Sequence, residues 1–223
     1  MNTNNLKYLT VKIASETDDG TLSVGTGFYI RFGDIPMIVT ANHVISEKSN
    51  IRLKLRYKIG EHIAMIDFPC NVKWHTLPKH DLACCCVDEI ERNFEKLVEC
   101  PLFYRCLTEE YLLTEKDMKE TEILDEVLMI GYPGGVSSSL WEYPIFQKGC
   151  LASAPGDASN EKYVDITTAG GSSGSPLLLL GGKPKLVGIM SRTVTENLIS
   201  SANLGIYSEA YHLLELKEKI KKK

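Results

Sequence analysis

Three separated residues carry chemistry in this sequence: His43, Asp81 and Ser173. A serine hydroxyl attacks a carbonyl only when a base beside it takes the proton. A carboxylate must then orient that base and stabilise its charged form. Backbone N–H groups aimed at the developing oxyanion supply the other half of such a site. The stretch TTAGGSSGSPLLLLGG, residues 167–182, offers serines among glycines directly before an apolar run. Glycines let a chain turn through positive φ and face its N–H groups inward. His43 follows the apolar run IVTAN, and Asp81 opens DLACCCV. Alone, each is ordinary: a histidine at a strand end is commonly structural, and an aspartate before a strand is commonly a turn residue. Together they are the parts list for acyl transfer.

Those residues need elements to position them, and the sequence supplies mostly β-type runs. Residues 7–14, 21–32, 36–41 and 50–59 are rich in β-branched and aromatic side chains and are bounded by turn residues. Residues 62–74 and 81–88 complete a first series of six. A second series covers 125–133, 145–154, 161–168, 175–180, 184–193 and 202–208, with GGKP at 181–184 as a hairpin turn. Between them, the acidic stretch 89–124 is less regular, with local helical spacing after Thr108, a plausible N-cap. Residues 209–220 place Ala210, Leu213, Leu214 and Ile220 near one face of a closing helix. The expected fold is all-β: two six-stranded antiparallel barrels with a C-terminal α-helix. Residues 7–88 form the first barrel, 89–124 a connector, 125–208 the second barrel and 209–223 the helix, all within one domain.

Composition narrows the function classes. A hydrophobic share of 43% in 223 residues supports a packed core, and the net charge of −4 gives no global basic footprint for nucleic acid. The cationic run at 217–223 suits the end of a terminal helix. The polar start lacks a secretory pattern, and no window is apolar enough to span a membrane. Seven cysteines, an odd number with three in a row, point to reduced thiols and a cytoplasmic protein. The consecutive cysteines 84–86 lack paired C-x-x-C spacing and read as small buried side chains, so neither a metal site nor a cofactor is expected.

The order of His43, Asp81 and Ser173 resembles that of the trypsin-like serine proteases, in their intracellular, HtrA-like branch. The stretches GTGFYI, MIVTANHVI, DLACCCV, VLMIGYPGG, GGSSGSPLL and KLVGIMS are similar to that branch's motifs, in the same order. The resemblance implies a serine endopeptidase in which Ser173 is the nucleophile, His43 the general base and Asp81 its orienting acid. It implies an oxyanion hole from the N–H groups of Gly171 and Ser173. It places Ser191 against the aspartate and the substrate backbone, and Thr167, Thr193 and Gly205 around the side chain before the cut. Ser172 stands where zymogen-type members carry an aspartate that pairs with a freed N-terminus, so control by a partner or effector is expected instead. Thr167 stands where an aspartate would select Lys or Arg, so basic specificity is not expected. No PDZ-like extension is evident after the helix.

Other readings are weaker. Residues 170–174 fit a G-x-S-x-G nucleophile elbow, but that elbow joins a strand to a helix with its histidine later, and here Pro176 and a leucine run follow. A phosphate loop is weaker still, because no Gly-Lys-Ser/Thr ends the glycine run. A catalytically silent protein-binding module on the same fold is the alternative from a different class. Expected partners are a protein or peptide substrate and a regulatory protein, with no nucleic acid and no membrane span.

Overall fold

A computed structural model describes residues 3–16, 20–46, 48–138, 142–156, 161–194 and 203–221. A one-turn helix, α1 (Thr3–Leu6), leads into β1 (Thr10–Glu16), β2 (Leu22–Phe32) and β3 (Ile35–Ala41). Then come the single turn α2 (Asn42–Ile45), β4 (Ser49–Ile59), β5 (His62–Pro69), β6 (Trp74–Leu77) and β7 (Leu82–Cys86). The helix α3 (Val87–Val98), the short β8 (Leu107–Thr108) and α4 (Glu115–Lys119) lead to the second half. There β9 (Glu126–Gly131), β10 (Ile145–Leu151), β11 (Lys162–Asp165), β12 (Pro176–Leu179), β13 (Lys185–Thr193) and β14 (Leu204–Glu209) precede α5 (Leu213–Lys221).

The second half closes as expected, a six-stranded barrel in the order β10-β11-β14-β13-β12-β9. The first half departs from the expected six-stranded barrel. It is an eight-stranded sheet with the path β5-β4-β1-β2-β3-β7-β6, and β8 adds to β2 in parallel. Among the described residues β5 and β6 do not pair. The cause is local: Pro69 has no N–H to give a ladder, so the run 62–74 breaks into two strands. Between them the Cys70 N–H turns back to the Ile51 carbonyl at 2.7 Å.

Two further expectations change. The acidic stretch after residue 86 contains α3, which buries Val87, Ile90 and Phe94 at helical spacing while most of its charges face water. Thr108 caps no α-helix; Thr114 does, in a capping box with Asp117 that opens α4. On the closing helix Leu213 and Leu216 are buried, whereas Leu214 is exposed. The GGKP hairpin holds, with Gly181 and Gly182 at φ +118° and +82° between β12 and β13.

The cysteine triplet obeys the period of two. Cys84 packs in the cluster of Phe28, Val39 and Leu82, and Cys85 in the cluster of Ile38, Phe68 and Phe94. All seven cysteines are free thiols. Among the described residues no helix is long and apolar enough to cross a membrane.

Candidate active site

His43 sits on α2, the single turn that follows β3. That turn packs tightly: a Cβ on Gly25 would meet Val44 Cγ1 at 2.5 Å, so glycine is required for α2 to lie against β2. Asp81 follows the 3-10 turn Pro78–His80 and has left-handed φ, +50°. Its N–H returns to the Pro78 carbonyl at 3.0 Å, and its own carbonyl accepts from Asn42 N at 2.9 Å. The two side chains meet as a consequence. His43 donates its backbone N–H to Asp81 Oδ1 at 3.0 Å, and its Nδ1 lies 2.8 Å from Asp81 Oδ2. Ser191, on β13, donates its hydroxyl to the same Oδ2 at 2.6 Å. Burial pushes the Asp81 carboxyl up, but the hydrogen bonds from His43 and Ser191 outweigh it and hold it below the usual carboxylate range.

The serine stretch is built from two successive turns. Ser172 N–H bonds to the Ala169 carbonyl and Ser175 N–H to the Ser172 carbonyl, each at 3.0 Å. The third residues of these turns are Gly171 and Gly174, at φ +96° and +86°. Glycine is demanded twice over, by conformation and by space. A Cβ on Gly171 would stand 2.2 Å from the Tyr132 carbonyl, and one on Gly174 only 1.9 Å from the Thr26 carbonyl. The turns separate the three serines. Ser172 is 2% exposed, its Oγ accepting from Ala169 N; Ser175 is fully buried; Ser173 is half-buried at the surface between them.

Ser173 donates its hydroxyl to the Ser191 carbonyl at 2.8 Å, and among the described residues it has no hydrogen bond to His43. Nor does any described group accept from the N–H of Gly171 or of Ser173. Their carbonyls are occupied: Gly171 O takes the Thr26 hydroxyl at 2.8 Å and Ser173 O takes the Thr26 N–H at 2.8 Å. Thr26 also accepts from Tyr132 N with its hydroxyl and from Thr40 with its carbonyl. Thr26 is a residue whose role its type does not announce; the GTGF stretch is the only sequence signal for it.

The residues expected around a substrate side chain are partly gathered. Thr193 and Gly205 are partners in the β13–β14 ladder. The Thr193 hydroxyl reaches Thr168 Oγ1 at 2.8 Å, so Thr168 joins this wall. Thr167 is exposed and contributes its carbonyl, which accepts from Gln147. A cleft of about 660 Å³ is lined by Asp81, Ser191, Arg192, Ile206 and Tyr207, with His80 and His212 on its wall.

The family model for the trypsin-like peptidase domain matches residues 25–189, a stretch that contains His43, Asp81 and Ser173. The chain belongs to the trypsin-like peptidase family. No protein of curated function matches its sequence. Among solved structures it is similar to the HtrA-type protease AlgW with a tripeptide, at 17% identity and a TM-score of 0.60, covering 97% of this chain and 61% of that one. It is also similar to a serine endoprotease from Yersinia pestis, at 16% identity and a TM-score of 0.63, covering 98% of this chain and 65% of that one. This trypsin-like chain therefore spans less than two thirds of either neighbour, and at these identities the likeness is one of fold.

Proposed function

We propose that this chain is a serine endopeptidase that cleaves a protein substrate through an acyl-enzyme. The observation that carries the proposal is the 2.8 Å contact of His43 Nδ1 with a doubly hydrogen-bonded Asp81. With Nδ1 committed to Asp81, the other ring nitrogen of His43 is the one left to take a proton. Substrate backbone N–H groups compete for the Ser191 carbonyl and release the Ser173 hydroxyl, which rotates about χ1 toward His43. His43 then takes the Ser173 proton as Oγ attacks the scissile carbonyl. The unpartnered N–H groups of Gly171 and Ser173 receive the oxyanion. The protonated His43, stabilised by Asp81, gives its proton to the leaving amine. Water, deprotonated by His43, hydrolyses the ester and restores Ser173.

The wall made by Thr168, Thr193 and Gly205 carries no charge, which suits a small or medium uncharged side chain before the cut. Seven free thiols suit a reducing compartment such as the cytoplasm. Ser172 lacks the carboxylate for an N-terminal ion pair, so control by a partner or effector fits better than control by zymogen cleavage.

A fluorophosphonate probe followed by mass spectrometry tests the assignment. The expected result is one adduct, on Ser173, absent from Ser173→Ala. The bond from Ser173 to the Ser191 carbonyl favours a second reading, a catalytically silent protein-binding module on the same fold. Absence of any adduct, even with cell lysate added to supply an activating partner, would decide for that module.

A further inference from the structure

His80 and His212 come from distant parts of the chain and meet beside the turn that delivers Asp81. His80 ends the 3-10 turn Pro78–His80, and His212 ends the turn Ala210–His212 that leads into α5. Their rings stack with centroids 3.4 Å apart and planes 20° from parallel. His80 Nε2 and His212 Nδ1 approach the same oxygen, Oε1 of Glu215, at 3.6 and 3.2 Å. Both imidazoles are largely buried, at 15% and 14% exposed, while the Glu215 side chain is 55% exposed.

We propose that His80, His212 and Glu215 form a binding site for a zinc-type divalent transition metal ion. Two imidazole nitrogens and a carboxylate oxygen are the donor set that zinc and its neighbours take. The three donor atoms lie within 4.8 Å of one another. Tetrahedral zinc with bonds near 2.0–2.1 Å holds neighbouring donors about 3.4 Å apart, so the set must tighten by roughly an ångström. The two ring nitrogens border one point, now held by Glu215 Oε1, but the stacked rings must part before both lone pairs can face an ion there. An ion takes that point when the exposed carboxylate swings outward and the rings splay about χ2, a soft torsion for histidine. The Lys79 charge, next along the chain, opposes a cation there, and the Glu215 carboxylate offsets it.

The backbone around the site is fixed. The Ser208 hydroxyl donates to the His80 carbonyl, and the Asp81 N–H closes the turn onto Pro78. A bound ion therefore ties the first turn of α5 to the segment that ends at Asp81. Water fills the remaining coordination position.

The test is titration of the metal-stripped full chain with zinc chloride and with cobalt chloride, read by calorimetry, cobalt absorption and thermal melting. The expected result is a single ion per chain, a Tm that climbs with zinc by mass action, and a cobalt spectrum free of thiolate charge transfer. His212→Gln and Glu215→Gln should each weaken zinc by at least the roughly hundredfold that even an outer-shell partner can be worth. Each should also abolish the zinc-dependent rise in Tm. Glu215 is exposed on α5, so its variant keeps the fold. Undiminished binding in both variants, thiolate bands from the cysteines, or no binding at millimolar zinc would overturn the site. These readouts are ion occupancy and melting temperature, so they stand apart from peptide cleavage.

Discussion

Asp81 collects three hydrogen bonds on one carboxylate: the His43 backbone, the His43 ring and the Ser191 hydroxyl. Each favours the ionised form, and together they prevail over burial. Because the folded carboxyl titrates below its unfolded counterpart, its stabilising effect is complete above the ordinary aspartate range. It is lost as pH falls through the lower, folded value. Asp81→Asn should therefore be less stable than the parent toward urea at neutral pH, and the gap should close in acid. A gap that stays constant with pH would mean that the carboxylate is not held in its charged form. On the peptidase reading, the same variant keeps its geometry but offers His43 the wrong partner, so kcat should fall by about 10⁴-fold. KM should move little, because the amide occupies the space of the acid.

At the scale of elements, the pair of turns at 169–175 is the least replaceable piece. Gly174→Ala must place a methyl 1.9 Å from the Thr26 carbonyl at φ +86°. The expected cost is about 3 kcal/mol or more, read as a fall in the denaturation midpoint. Gly170→Ala is the control, since a Cβ there meets nothing within 4 Å. These turns were legible in the sequence because glycine and serine spacing is local information. So were the strands, whose period of two is local as well; even the cysteine triplet could be assigned to alternate faces. The helix α3 was not, because six acidic and basic side chains mask the spacing of Val87, Ile90 and Phe94. The open path of the first sheet was also hidden, since one proline decides where 62–74 breaks. Pairing between distant segments leaves no local trace: nothing near His80 announces His212, and nothing near Thr26 announces Gly171.

For the molecule as a whole, the thiols report which parts are sealed. Burial pushes the Cys84 thiol up to about 12 and raises Cys85 well above its ordinary value. Burial also lifts Cys106 to about 11 against the nearby Arg31 charge. Brief iodoacetamide treatment of the native chain at neutral pH, read by peptide mass spectrometry, should leave Cys84 and Cys85 unmodified. Both should react once urea unfolds the chain. Early alkylation at either would mean that the first sheet opens where the structure keeps it shut. Thr26 joins the two halves more directly than any thiol. Its hydroxyl and N–H hold the carbonyls of Gly171 and Ser173, and the contact to Gly171 spans 145 residues of sequence. At a synthesis rate of roughly 5–20 residues per second, Gly171 leaves the ribosome about 7–30 s after Thr26. During that interval a nascent chain carries the segments of His43 and Asp81 without the serine turns. On the peptidase reading, no chain that short can form the acyl-enzyme.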